Sequence, residues 1–81
     1  MNERVYAIKE ELREIENRLW QIEKKEEQAD MLAAEHKTEI ELGIYDPPLS
    51  EEEVEALREE IEELETRMEE LGKELEKLGR L

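Results

Sequence analysis

The chain has 81 residues, no cysteine, and 12 Lys plus Arg against 26 Asp plus Glu, a formal charge of −14. That balance argues against nucleic acid, which needs a basic stripe to neutralise phosphates, and against an anionic bilayer. Without cysteine there is no disulfide or thiolate chemistry, and apolar runs of a few residues are far too short to cross a membrane. With no basic region leading into an apolar stretch at its N-terminus, the chain is expected to be soluble, and cytoplasmic if natural.

Nearly half of the residues are charged, a level that signals disorder when the apolar residues are scattered. Here they are periodic. From Val5 the steps are three and four: Val5, Ile8, Leu12, Ile15, Leu19, Ile22, then Glu26, Ala29, Ala33, His36 and Ile40. This is a heptad seam with Val5, Leu12, Leu19, Glu26, Ala33 and Ile40 at a, and Ile8, Ile15, Ile22, Ala29 and His36 at d. Asn2 suits an N-cap and Gly43 a stop, so the pattern predicts a first helix over about residues 2–42, roughly 60 Å long.

The segment Gly43-Ile44-Tyr45-Asp46-Pro47-Pro48-Leu49 cannot continue a helix, because two prolines remove donors and push Asp46 toward extended geometry. A turn is expected over 43–50. Ser50 followed by Glu53 reads as a capping box, and Leu49 with Val54 as a hydrophobic staple. A second helix follows over about 51–78, roughly 42 Å long, whose seam Val54, Leu57, Ile61, Leu64, Met68, Leu71, Leu75, Leu78 has no polar interruption. Gly72 lies inside it at a cost of about 1 kcal/mol relative to alanine.

Two amphipathic helices joined by a short connection imply an all-α fold: an antiparallel two-helix coiled-coil hairpin, with residues 1–81 forming one domain. In an antiparallel coiled coil an a layer faces a d layer, and pairs whose numbers sum to 97 satisfy this along the whole second helix, so that Ile40 meets Leu57, His36 meets Ile61 and Glu26 meets Leu71. The second helix then ends near Leu19, and residues 1–15 become an overhang whose seam stays apolar. Val5, Ile8, Leu12 and Ile15 are accordingly expected to bind a second copy, most simply as a homodimer within a larger helical bundle. Tyr6 and Trp20, on one flank of the helix, are candidate additions to that interface, as are Ala29 and Ala33, whose small side chains admit another helix and lie beside Met31 and Leu32 in a widened apolar stripe.

Glu26 and His36 fall inside the seam and read as polar layers that set register, with Arg67 as the expected partner of Glu26. A lone histidine without cysteine does not make a metal centre. The glutamates fit a solvated face, with Glu14 to Arg18, Glu63 to Arg67, Glu69 to Lys73 and Glu76 to Arg80 at i to i+4 spacing. No phosphate loop, calcium loop, zinc pattern or nucleophile with a supporting histidine occurs, so no enzyme, cofactor or small-molecule substrate is expected. The reading is a structural self-assembly module, or alternatively an adaptor that docks on another protein through the overhang or the acidic tip.

Residues 50–78, SEEEVEALREEIEELETRMEELGKELEKL, resemble computationally designed helical bundles in their density of Glu, Leu, Lys and Arg, strict patterning and deliberate cap. That resemblance implies a bundle fold and no enzymatic activity. Asp46 with Glu51 to Glu53 sits at a hairpin tip as in transcript-cleavage factors of the Gre type, but their second domain and tip sequence are missing. The two-helix format is similar to that of sporulation phosphatases, whose Ser-Gln-Glu-Leu-Asp motif has no counterpart in Glu63-Leu64-Glu65-Thr66-Arg67.

Overall fold

A computed structural model describes residues 3–79, which form three helices: α1 (Glu3–Glu35), α2 (Lys37–Glu41) and α3 (Glu51–Gly79). The all-α hairpin is as the periodicity implies, with α3 packed antiparallel on α1. No helix among these residues is long and apolar enough to cross a membrane. The expected N-cap Asn2 and the Glu76–Arg80 pair involve positions outside the described residues.

The register differs from the expected one. Three arginine–carboxylate bridges cross between the helices one heptad apart. Arg4 Nε and Nη2 donate to Glu74 at 2.7 and 2.6 Å, and Arg18 Nε and Nη2 to Glu60 at 2.5 and 2.8 Å. Arg67 Nε and Nη2 donate to Glu11 at 2.6 and 3.2 Å. Position 4 thus faces 74, 11 faces 67 and 18 faces 60, so facing numbers sum to 78 rather than 97. This sets Ile8 level with Leu71, Ile15 with Leu64 and Ile22 with Leu57, and all of these are buried except the half-buried Leu64.

The N-terminal overhang expected over residues 1–15 is therefore absent from the described part, 3–15. Ile8 and Ile15 form the buried core with Leu71, and Leu12, Leu19, Leu64, Met68, Leu75 and Leu78 pack around it. The physical reason lies in the two seams. The stretch from Val5 to Ile22 is aliphatic at every a and d position, and so is α3. Matching them buries both, whereas the 97 register sets Glu26 against Leu71 and His36 against Ile61, where an unpaired polar group costs several kcal/mol. Each aliphatic side chain withdrawn from water contributes about 1.5–3 kcal/mol.

The bridges contribute specificity more than stability. Their side chains remain roughly half-exposed, where solvent screens an ion pair. Two of the expected intrahelical pairs are displaced by them, since Arg18 and Arg67 reach across to α3 and α1 rather than along their own helices; Lys73 does pair with Glu69 at 3.3 Å. Glu11, Glu60 and Glu74 are held below the ordinary carboxylate range, mainly by the guanidinium hydrogen bonds they accept.

Beyond Asp30 the chain departs from the expected 97 register. By the observed register α3 starts level with residue 27, yet α1 runs on to Glu35 and α2 to Glu41. The long dimension of 62 Å matches roughly 58 Å for 39 helical residues in line, so α2 continues the direction of α1. The connection must then return roughly 20 Å to the start of α3. The nine residues 42–50 would reach roughly 30 Å fully extended, which leaves room for the turn at Leu42 and Gly43 and makes Pro47 and Pro48 suitable for the return rather than for a tight reversal.

At the end of that return the sequence-based expectation holds. The Ser50 Oγ accepts the Glu53 amide at 3.1 Å and its hydroxyl donates toward the Glu53 carboxylate at 3.4 Å, while Val54 N donates to Ser50 O at 3.0 Å. Helix α3 then runs unbroken through Gly72, where an added Cβ would meet open space.

Three outcomes follow from this packing. Gly72→Ala is expected to raise stability by about 1 kcal/mol in thermal unfolding, because it adds helix propensity without contact. Ile8→Ala is expected to cost about 2–5 kcal/mol in chemical denaturation, whereas an overhanging Ile8 would leave monomer stability unchanged. Since the carboxyls of Glu11, Glu60 and Glu74 are depressed in the fold, the stability they add is present above the ordinary carboxylate pKa and lost as pH falls through the depressed values. The triple change to Gln should therefore lower the melting temperature at neutral pH, with the gap to the parent closing below about pH 4. A gap independent of pH would mean that the bridges act without their charge.

Candidate interaction surface

The junction between α1 and α2 is built on His36. Its φ of −108° and ψ of 23° leave the helical basin, but the backbone ladder continues on both sides: His36 N donates to Leu32 O at 3.0 Å and Ile40 N to His36 O at 2.8 Å. The imidazole stacks on Tyr45, with ring centroids 4.1 Å apart and planes 14° from parallel, and its Nδ1 lies 3.6 Å from Glu39. His36 is half-buried at a helix junction, so it is not the polar core layer expected of it. Leaving the seam is favourable because a stacked, partly wet imidazole keeps access to water that a layer against Ile61 would deny.

Glu26 is likewise outside the core. It is half-buried at the edge of a cleft of about 260 Å³ bounded also by Asp30, Leu49, Val54, Leu57 and Arg58. Arg67, its expected partner, is about two heptads away in the observed register and bound to Glu11 and Glu70. Leu49 and Val54 border this cleft together, in keeping with the staple that leads into α3.

Helix α2 ends in a Schellman cap. Gly43 takes a φ of +76°, a conformation open to glycine at little cost, and donates to Ile40 O at 3.1 Å, while Ile44 N donates to Glu39 O at 2.9 Å. In this motif the residue after the glycine usually packs back on an apolar side chain one turn earlier. Here the residues it would meet are Glu39 and Thr38, so Ile44 has no apolar partner and is 74 % exposed. Leu42 at 67 % and Met31 at 65 % are exposed as well, and Leu32 and Tyr45 partly so. Gln28, Met31, Leu32 and Glu35 frame a shallow groove of about 280 Å³ on the unpaired part of α1.

Three of these positions, Leu32, Ile44 and Tyr45, are linked through His36. Leu32 lies one turn before His36, His36 stacks on Tyr45, and Tyr45 adjoins Ile44. The other large exposed apolar side chains among the described residues, Tyr6 and Trp20, stand apart on the paired part of α1, with Lys24 Nζ 5.7 Å from the Trp20 ring centroid. Ala29 and Ala33 are half-buried on the extension, and Val5 and Leu12 half-buried in the hairpin. The residues assigned to an interface by sequence thus divide: Val5, Ile8, Leu12 and Ile15 pack within the chain, while Tyr6, Trp20, Ala29 and Ala33 lie along the rest of α1.

Leu42, Ile44 and Tyr45 were not singled out from the sequence. The signal for Ile44 was present, in a glycine stop with an acidic residue four positions before it. Among the described residues no group of three His, Cys, Asp or Glu side chains converges as metal ligands would. The groove bordered by Glu59, Glu62, Glu63, Thr66, Arg67 and Glu70 is the space between side chains of a single helix. Comparison with known protein families, curated proteins and solved structures finds no match for this chain.

Removing the stack with Tyr45→Ala is expected to cost about 0.5–1.5 kcal/mol locally. Amide exchange should quicken over residues 36–45 and stay unchanged at Ile15, Ile22 and Leu71. Faster exchange throughout would show that the junction and the hairpin unfold as one.

Proposed function

We propose that this chain is a non-enzymatic helical module that binds another protein through the end formed by the extension of α1, α2 and the connection. The observation that carries this reading is the concentration of Met31, Leu32, Leu42, Ile44 and Tyr45, five of the seven large exposed apolar residues among those described, at one end of the molecule. An apolar patch bordered by polar residues is the usual mark of an interaction site. The rest of the chain supports the role of a scaffold: an aliphatic core in register with three bridges gives a stiff hairpin from which the unpaired end projects.

Self-association, the sequence-based expectation, rested on an unpaired seam at Val5, Ile8, Leu12 and Ile15. That seam has α3 as its partner, and two copies of a chain with charge −14 repel at long range.

The test is nuclear magnetic resonance of the labelled chain titrated with synthetic amphipathic helical peptides. Shift changes confined to residues 28–46 are expected, together with their loss in Met31→Ser with Ile44→Ser, a variant that should melt at the parent temperature because both positions are exposed. Changes centred on α3 or the hairpin core, or no response to any peptide, would contradict the reading. Sedimentation of the chain alone as a dimer at tens of micromolar would restore self-assembly.

A further inference from the structure

We infer that the partner of this end is a cationic amphipathic α-helix. The inference rests on the interaction reading above and adds the chemistry of what is bound. Three observations carry it.

The first is shape. Level with residue 27 α3 begins, so α1 beyond that point lacks the antiparallel neighbour that it has along the hairpin. Its exposed Met31 and Leu32 and the groove they share with Gln28 and Glu35 offer the ridges and grooves of a helix surface. A second helix laid there occupies the face turned away from the seam, whose own continuation at Ala29, Ala33 and His36 is already half-buried within the chain. Methionine suits such a contact because its unbranched side chain adapts to the residue it meets.

The second is charge. Residues 28–46 carry five carboxylates, Asp30, Glu35, Glu39, Glu41 and Asp46, and a single lysine, Lys37. Glu51 to Glu53 adjoin the same end. A second copy would bring this charge against itself, whereas Lys and Arg flanking an apolar stripe would meet it with the opposite sign.

The third is the distribution of arginine. Along the hairpin, carboxylates facing the other helix are bridged by Arg4, Arg18 and Arg67. Between Arg18 and Arg58 the sequence has none. Arg58 of α3 borders the cleft with Glu26 and Asp30, but residues 28–46 hold no guanidinium of their own, so a bidentate partner for Glu35 or Glu41 has to come from another chain.

The experiment uses the full chain and three helical peptides of roughly 15–20 residues with one leucine pattern and Lys, Gln or Glu on the polar face. Calorimetry at low and high salt gives affinities, and resonance shifts give location. The lysine peptide is expected to bind at residues 28–46 on the order of tenfold more tightly than the glutamine peptide at low salt, with the preference shrinking toward one near 1 M salt. The glutamate peptide should be the weakest. Asp30→Asn with Glu35→Gln and Glu41→Gln should reduce the preference for lysine and leave the glutamine peptide unaffected.

Equal binding of the lysine and glutamine peptides at residues 28–46 overturns the inference and leaves the docking role standing. Failure of all three peptides overturns both. Shifts from the lysine peptide spread along the outer face of α3 show unspecific attraction to an acidic helix and also overturn it. A dimer of the chain alone that Leu42→Ser with Ile44→Ser dissolves identifies the occupant as a second copy, again against the inference.

Discussion

Two aliphatic seams of nearly equal length must be buried against each other, and the remainder of the structure follows from satisfying that demand. From Val5 to Ile22 the heptad positions of α1 are uninterrupted; from Leu57 to Leu75 those of α3 are too. A slide toward the turn would exchange Ile8 and Ile15 for Glu26, Ala29 and His36 in the core. Both the lost apolar burial and the desolvated polar groups oppose that slide. Three bridges at heptad spacing reinforce the choice, because they align together only in this register.

The cost of the chosen register appears in the connection. Since α3 starts level with residue 27, everything from there to Ser50 has to leave the hairpin and come back. The outward path stays helical as far as Glu41, interrupted at His36. The inward path runs through Pro47 and Pro48 and is tied down by the Tyr45 stack, the Gly43 cap and the Ser50 cap. The same excursion that relieves the core of Glu26 and His36 exposes Met31, Leu42 and Ile44. Core formation and the interaction surface are thus two results of one register.

Local features were legible in the sequence to the extent that neighbours decide them. The helical periodicity, the Ser50–Glu53 cap and the glycine stop at 43 all depend on residues within one or two turns. Register is a comparison between distant segments, and the a-to-d layering whose numbers sum to 97 is not the one the chain adopts. The purity of the first 22 residues of the seam already contained the correction, because Glu26 and His36 were visible as misfits for any register that buried them. The break at His36 had no such signal: it depends on Tyr45 arriving from nine residues away to stack on the ring. The exposure of Ile44 followed from Glu39 and Thr38 occupying the positions an apolar side chain would need.

Register is also the most direct point of test. The absence of native cysteine allows single pairs of spin labels to be placed at Lys9 and Lys73, and separately at Lys24 and Lys73. With facing numbers that sum to 78, Lys73 lies four residues from the level of Lys9 and nineteen from that of Lys24. The Lys9–Lys73 distance is therefore expected to be the shorter by about 15–20 Å at 1.5 Å rise per residue. The opposite order, with Lys24 the nearer, would place Glu26 and His36 back in the seam, return residues 3–15 to solvent, and contradict the account.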